Sequence, residues 1–445
     1  MVYGNAFGIH QSIKSVESCK MSSDKSKIEW LDTGLDHIWL PYTQMQTNPK
    51  PAAVSHTQNA SIFLEDGTQL IDGIGSWWTN VHGYNHPKLK DALIKQLETM
   101  PHIMLGGLGH KSAYQLATRL AQITPGDLSR TFFVESGSVA VEVAMKVAVQ
   151  FWLNTTGKVR PKFMSFKGGY HGDTFAAMSV CDPDEGMHSL FGPALANQYV
   201  LDLPEDEDSK FLFEDILEDR NDIAAVIVEP LIQGAGGMRM HSPETLRYLR
   251  DTCDKFEKLL IFDEIFTGFG RTGEMFAANV AGVVPDIMTI GKALTGGVTP
   301  LAATIVTDRI YNVFHADDPN KALMHGPTFS GHALACAVAM ASLDLLEEEN
   351  ALDRVKAIEA QFERELRPLE ARDDIKQVRI LGAVAAVELV NGFDLAAIRQ
   401  RFIDNGVFIR PLGNVMYLSP SFSTTPEEIS SLTGAIIEMV EYLAG

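Results

Sequence analysis

The 445-residue chain has no run approaching the ~20 apolar residues that a membrane span requires. It has few basic residues for its acidic ones: 37 Lys and Arg against 57 Asp and Glu, a net charge of −20. Nucleic acid and anionic membrane surfaces both need a basic face, so neither is expected as a main partner. Cys19, Cys181, Cys253 and Cys336 contain no C-x-x-C pair. In a chain of this size they read as reduced thiols, not as a disulfide framework. H-E-x-x-H, G-x-S-x-G and G-x-x-x-x-G-K-[ST] are all absent, which removes the usual support for zincin, serine-hydrolase and P-loop chemistry. Residues 1–28 lack arginine, periodicity and an apolar segment after their lysines. They read as a flexible extension, with Met21 as an alternative start, and the expected compartment is the cytoplasm.

Ten acidic residues fall between Asp202 and Asp222 against Lys210 and Arg220. A docking patch for a basic partner is one reading; a solvated loop and helix face is the ordinary one and is preferred. Elsewhere short apolar runs alternate with helical patterns, the signature of crossover units on a mostly parallel sheet. Strands are expected at Thr131–Val134, Lys162–Phe166, Ala224–Val228, Leu259–Phe262, Asp286–Ile290 and Leu301–Val306, and a hairpin at Ser61–Gly73 around Asp66-Gly67. A long helical pattern, Ala333–Glu349, leads into a tail with strands near Val384–Glu388 and Met416–Leu418. The expected division is a large α/β domain over 76–310, with a smaller α+β domain built from 29–75 and 311–445.

Two patterns are discounted. His82 and His86 stand four apart, but Gly83 and Pro87 break the helix that a metal pair would need. Gly268–Gly273 matches G-x-G-x-x-G but neither follows a strand directly nor opens a long helix, so it reads as a turn.

Three features carry chemistry together. Glu135–Lys146 runs from a strand through a Ser/Gly turn into a helix, where N–H groups and the helix dipole favour a phosphate. Taken alone it reads as ordinary capping by Ser136 or Ser138. Asp263 ends the strand LLIFD, at the edge where open α/β sheets bind ligands, although it also suits a helix cap. Lys292 is the sole charged residue from Ile287 to Thr307. Loss of hydration there makes its amine a usable nucleophile, although a single lysine taken alone more often snorkels out at a strand end. A phosphate cradle, a carboxylate for a pyridinium nitrogen and an imine-forming lysine are what pyridoxal 5′-phosphate requires, and Tyr170 offers an aromatic face for its ring.

The chain resembles the class III, fold type I, pyridoxal-phosphate-dependent aminotransferases from about His37 to Pro420. The resemblance rests on HIWLPYTQM, DGIGSWWTNVHGYNHP, SGSVAVEVAMK, GGYHGDTFAAMSVCDPDEGMHSL, EPLIQGAGGMRM, FDEIFTGFGRTG and HGPTFSGHALACA. It implies that Lys292 is the catalytic, cofactor-bonding lysine and Asp263 the ring-nitrogen partner. Gly137 and Ser138 match the phosphate turn and Tyr170 the ring-stacking residue. Pro327 and Thr328 match a phosphate loop given to the other subunit of a homodimer. Tyr42, Trp77, Tyr170, Arg271, Gly326 and Arg410 fall on substrate positions. A long aliphatic keto acid needs an aromatic channel ending in a guanidinium, which Trp77, Trp78, Tyr42, Tyr170 and Arg410 suit. On an extended segment only one of the paired tryptophans would face it.

Departures narrow the expectation. The family members acting on ornithine or 4-aminobutyrate carry QGEGG, whereas Ala235 stands here. Many members carry Gln where this chain has Phe266, so that cofactor contact is expected to be absent. Tyr42, the Trp pair and GSVAVEVAMK resemble members that aminate 8-amino-7-oxononanoate with S-adenosylmethionine. Leu40 resembles lysine-using relatives, and a broad ω-aminotransferase is the third alternative. A nicotinamide oxidoreductase or a non-catalytic binding protein accounts for fewer of these motifs.

Overall fold

Continuous apolar runs too short for helices must pack as strands covered on both faces. In the computed structural model, described over residues 28–184 and 188–445, such runs form the centre of a seven-stranded sheet. The expectations for residues 1–27, including Cys19 and Met21, lie outside the described residues. The chain divides into two units, Met1–Ala53 and Val54–Gly445. The described part of the first holds the helix Glu29–Leu35 and a Lys50–Asp32 ion pair of 2.5 Å.

In the second unit the sheet order is Leu128–Val134, Ala302–Thr307, Ile287–Ile290, Leu259–Asp263, Ile223–Val228, Lys162–Phe166, Tyr199–Leu201. Ala302–Thr307 is antiparallel to both neighbours and the remaining pairings are parallel. Every position of Ile223–Val228, Leu259–Asp263 and Ile287–Ile290 is buried. The six expected strands are present at or beside their expected bounds. The edge strand Tyr199–Leu201 is an addition.

The turn after Val134 opens the helix Gly137–Thr156, whose Ser136 cap accepts from Val139 N–H and whose end falls at left-handed Gly157. The hairpin is present as Ser61–Leu64 and Gln69–Asp72, antiparallel, with Val54–Gln58 on one side and Val407–Phe408 parallel on the other. Residues far apart in sequence thus share one small sheet. A third sheet joins Ile375–Leu381, Val384–Leu389 and Val415–Leu418, flanked in sequence by the helices Ala333–Glu348, Ala351–Leu366 and Pro426–Ala444. Within the acidic segment, Asp206 caps the helix Glu207–Asp219, which buries Phe213 and Leu217 and leaves most of its acids exposed. That is the solvated helix face preferred above. Among the described residues no helix is long and apolar enough to cross a membrane.

The parallel strands point their carboxyl ends the same way. At or just beyond those ends lie Gly137, Tyr170, Glu229, Asp263 and Lys292.

Candidate active site

These side chains meet around a cavity of about 140 Å³ lined by Trp78, Gly137, Ser138, Tyr170, Asp263 and Lys292 among others. Asp263 is 3% exposed and tied down at both oxygens. His171 Nδ1 donates to Oδ2 at 2.8 Å, while Thr289 Oγ1 and Ile265 N–H donate to Oδ1 at 3.0 and 3.2 Å. The carboxylate is therefore held in one orientation with its charge compensated, as a buried ion must be.

Lys292 follows Ile290 and Gly291 with φ 42°, a left-handed turn that starts a short 3₁₀ segment, Lys292–Thr295. Its Nζ lies 4.9 Å from the centroid of the Trp78 ring. Burial pushes the amine below the ordinary lysine range, opposed by the charges of Asp263, Glu229 and Asp173. An amine in this setting is more readily neutral and nucleophilic.

Glu229 follows the strand Ile223–Val228 and accepts from Tyr170 N–H at 2.8 Å and Gly234 N–H at 3.0 Å. Burial pushes its carboxyl up to about 7; His171 opposes the shift and Asp263 adds to it. Tyr170 donates its hydroxyl to Asp173 at 3.0 Å and stacks on His188 with centroids 5.8 Å apart. Ser138 Oγ accepts from Asp173 N–H at 3.0 Å, so the Gly137–Ser138 turn and the Tyr170 segment are joined. A Cβ at Gly137 would lie 2.9 Å from Ile265, leaving the first helical turn open toward the cavity only through glycine. Phe266 takes no polar part: its ring lies 4.4 Å from that of Trp78 and fills the space a Cβ on Gly234 would need.

The tryptophan pair departs from the extended segment expected. Gly75–Trp78 is a left-handed turn, with Trp78 buried against the cavity and Trp77 40% exposed. The guanidinium of Arg410 lies 5.2 Å from the Trp77 ring centroid. Arg399 is a further cation near Arg410. Burial chiefly, and then Arg410, pushes its guanidinium below the ordinary range.

Arg271 is fully buried and does not line the cavity. Its Nη1 donates to Pro420 O at 2.7 Å, and the guanidinium lies 4.8 Å from the Phe422 ring. Burial pushes it down to about 9, opposed by Asp72. Gly326, Pro327 and Thr328 occupy the loop before Ala333–Glu348 and do not line their own chain's cavity either. Tyr42 belongs to the N-terminal unit, where it is exposed. The Gly268–Gly273 segment is turns and opens no long helix. His171, Thr289 and Glu229 are the site residues the sequence reading passed over. Only the position of Glu229 after a buried strand signalled it.

With this geometry in view, residues 42–440 match the model of the class III aminotransferase family. The chain belongs to that family and is a pyridoxal-phosphate-dependent aminotransferase. It is 41% identical to the adenosylmethionine-8-amino-7-oxononanoate aminotransferase of Corynebacterium glutamicum, over 90% of this chain and 96% of that one. The crystal structure of an enzyme so named from Methanocaldococcus jannaschii superposes with a TM-score of 0.86 at 33% identity, covering 92% of this chain and 98% of that one. A PLP-bound amine transaminase from an uncultivated Pseudomonas species gives a TM-score of 0.84 at 31% identity, covering 90% and 97%.

The residues present fit that cofactor. A desolvated amine, a buried carboxylate with fixed oxygens, a glycine-opened helix N-terminus and aromatic walls are the groups its aldehyde, ring nitrogen, phosphate and ring need.

Proposed function

We propose that the enzyme aminates 8-amino-7-oxononanoate to 7,8-diaminononanoate with S-adenosylmethionine as amino donor, a step of biotin synthesis. The observation that carries this reading is the near-full-length similarity to relatives bearing that name, at 41% identity in the case above. The Trp77–Arg410 contact supports it, because an aromatic wall ending in a guanidinium suits an aliphatic chain ending in a carboxylate.

Lys292 would bond the cofactor, Asp263 would hold the proton on its ring nitrogen, and the turn at Gly137 and Ser138 would take its phosphate. When bound, the cofactor supplies an electron-accepting ring that stabilises negative charge on the substrate carbon. The Lys292 amine would take a proton from the donor carbon in the first half of the exchange and would supply one to the acceptor carbon in the second, a task suited to an amine of lowered pKa. Tyr170 and Trp78 cover the cavity and exclude water from the exchange. Arg410 orients the acceptor through its carboxylate.

The reading extends to a homodimer in which Pro327 and Thr328 complete the phosphate site of the other subunit, to a small domain drawing on both 29–75 and 311–445, and to the cytoplasm. The last rests on the free, buried thiols Cys181, Cys253 and Cys336. Leu40 favours a second reading with lysine as donor. A steady-state assay of the purified enzyme with the keto acid and either donor decides. Turnover with S-adenosylmethionine alone is expected; turnover with lysine alone selects the second reading, and turnover with neither overturns both.

A further inference from the structure

Gly75, Ser76, Trp77 and Trp78 have φ of 54°, 46°, 53° and 72°. Four consecutive left-handed residues are conformationally costly, and three of these carry a Cβ. Gly75 has its own reason to be glycine, because a Cβ there would meet the backbone oxygens of Asn80 and Ser419 at 3.0 and 3.1 Å. Ser76, Trp77 and Trp78 must be held by contacts.

Those contacts converge on one buried carboxylate. Asp72, 2% exposed, accepts from the N–H groups of Ile74 and Gly75 at 3.0 and 3.1 Å on Oδ1, and from Ser76 N–H at 3.0 Å on Oδ2. The Tyr84 hydroxyl donates to Oδ2 at 2.6 Å, and Ser76 Oγ lies 2.6 Å from that hydroxyl oxygen, to which it donates. Trp78 N–H closes the turn on Ile74 O at 2.9 Å. The carboxylate thus gathers three consecutive backbone donors as an anion-binding turn does, from within the chain. The outcome is a reversal that sends the two rings to different tasks. Trp78 becomes a wall of the cavity with Lys292 Nζ over its ring, and Trp77 meets Arg410.

We propose that Asp72, braced by Tyr84, is a positioning residue for the acceptor channel: it holds Gly75–Trp78 left-handed so that Trp78 faces the cofactor cavity while Trp77 faces the Arg410 guanidinium. Asp72 acts through the tryptophans and touches no reacting atom. The inference rests on Trp77 and Arg410 serving the acceptor, as argued above.

The test compares Asp72→Asn, Tyr84→Phe, Trp77→Ala and the double variant Asp72→Asn/Ser76→Gly. Asn keeps the shape but turns an amide NH₂ toward donors, and Gly at 76 removes a Cβ from the strained turn. Two quantities are read: the near-UV circular dichroism of tryptophan in apoprotein and holoenzyme, and the KM for keto acid against that for donor. Asp72→Asn is expected to change the tryptophan signal even without cofactor and to raise the acceptor KM about tenfold or more, by a larger factor than the donor KM. Tyr84→Phe should act in the same direction and more weakly, and Ser76→Gly should recover part of the loss. An unchanged tryptophan signal and acceptor KM in Asp72→Asn, or in Tyr84→Phe if the first does not fold, overturns the proposal. If Trp77→Ala leaves the acceptor KM unmoved while Asp72→Asn still alters the tryptophan signal, the acceptor reading of Trp77 fails and the hold on the turn stands.

Discussion

His171 Nδ1 donates to Asp263 Oδ2 at 2.8 Å, with both side chains almost wholly buried. Together with the donors Thr289 and Ile265 on Oδ1, the bond fixes the orientation of the Asp263 carboxylate at the cavity wall. Losing a hydrogen bond to a charged group typically costs about 1.5–3 kcal/mol. His171→Ala is therefore expected to lower kcat by roughly 10- to 100-fold, with weaker retention of the cofactor on dialysis. Stopped-flow half-reactions with each substrate measure this. A variant with wild-type rates in both half-reactions would show that the pair is only packing.

Lys292 is expected to be the single attachment point of the cofactor. Borohydride reduction of the yellow holoenzyme followed by peptide mass mapping should place the adduct on the peptide containing Lys292. Lys292→Ala should bind cofactor without any reducible bond. Full attachment in the reduced Lys292→Ala protein would sink the assignment.

Gly172 has φ 127°, and a Cβ there would fall 2.2 Å from Ser138 Oγ and 2.8 Å from Ser138 Cα. Ser138 stands at the helix turn proposed to take the phosphate, so Gly172→Ala should push that turn out of place. Overpacking of this kind costs about 1–3 kcal/mol. A rise of about tenfold or more in the Kd of the cofactor is expected from absorbance titration of the apoprotein. An unchanged Kd would separate Ser138 from the phosphate.

Much of this arrangement is legible in the sequence. The central strands could be read because a strand covered on both faces is an unbroken apolar run. Asp263 and Lys292 stood out because each is a charge placed where such a run ends. Tyr199–Leu201 was hidden because three partly buried residues at a sheet edge carry no pattern. The left-handed turn at Gly75–Trp78 was hidden for a different reason. Its backbone depends on donors and acceptors gathered by Asp72 and Tyr84, and nothing in the letters GSWW announces that. The burial of Arg271 was equally illegible, since the surrounding FTGFGRTG resembles an exposed glycine turn.

Glu229 makes a prediction about pH. Its carboxyl is pushed from 4.5 up to about 7 by burial. The folded protein then holds that proton more tightly than the unfolded chain does, so this group's contribution to stability falls as pH rises from about 4.5 to about 7. The full effect is on the order of 3 kcal/mol. Glu229→Gln removes the titration while keeping the volume. Its thermal midpoint relative to the parent apoprotein should improve between pH 5 and pH 8, whatever constant offset the amide introduces against the Tyr170 and Gly234 N–H groups. Parallel pH profiles for the two proteins would show that Glu229 does not titrate in this range.

Arg410 lies 5.2 Å from the Trp77 ring, a contact that orients the guanidinium without neutralising it. A guanidinium so placed can still take a carboxylate through two parallel N–H donors. The proposed acceptor carries its carboxylate far from the ketone, so such a grip would be made alike in the ground state and the transition state. Its loss should then appear in KM more than in kcat. Arg410→Ala is expected to raise the keto-acid KM by about tenfold to 100-fold, a charge-assisted hydrogen-bond pair being worth about 1.5–3 kcal/mol. The donor half-reaction should change far less. Arg410→Lys should recover only part of the loss, because an ammonium supplies the charge but not the planar fork. Equal effects on donor and acceptor would instead place Arg410 in a site both substrates share, and the carboxylate role would have to pass to another cation, such as Arg399, whose guanidinium feels the charge of Arg410.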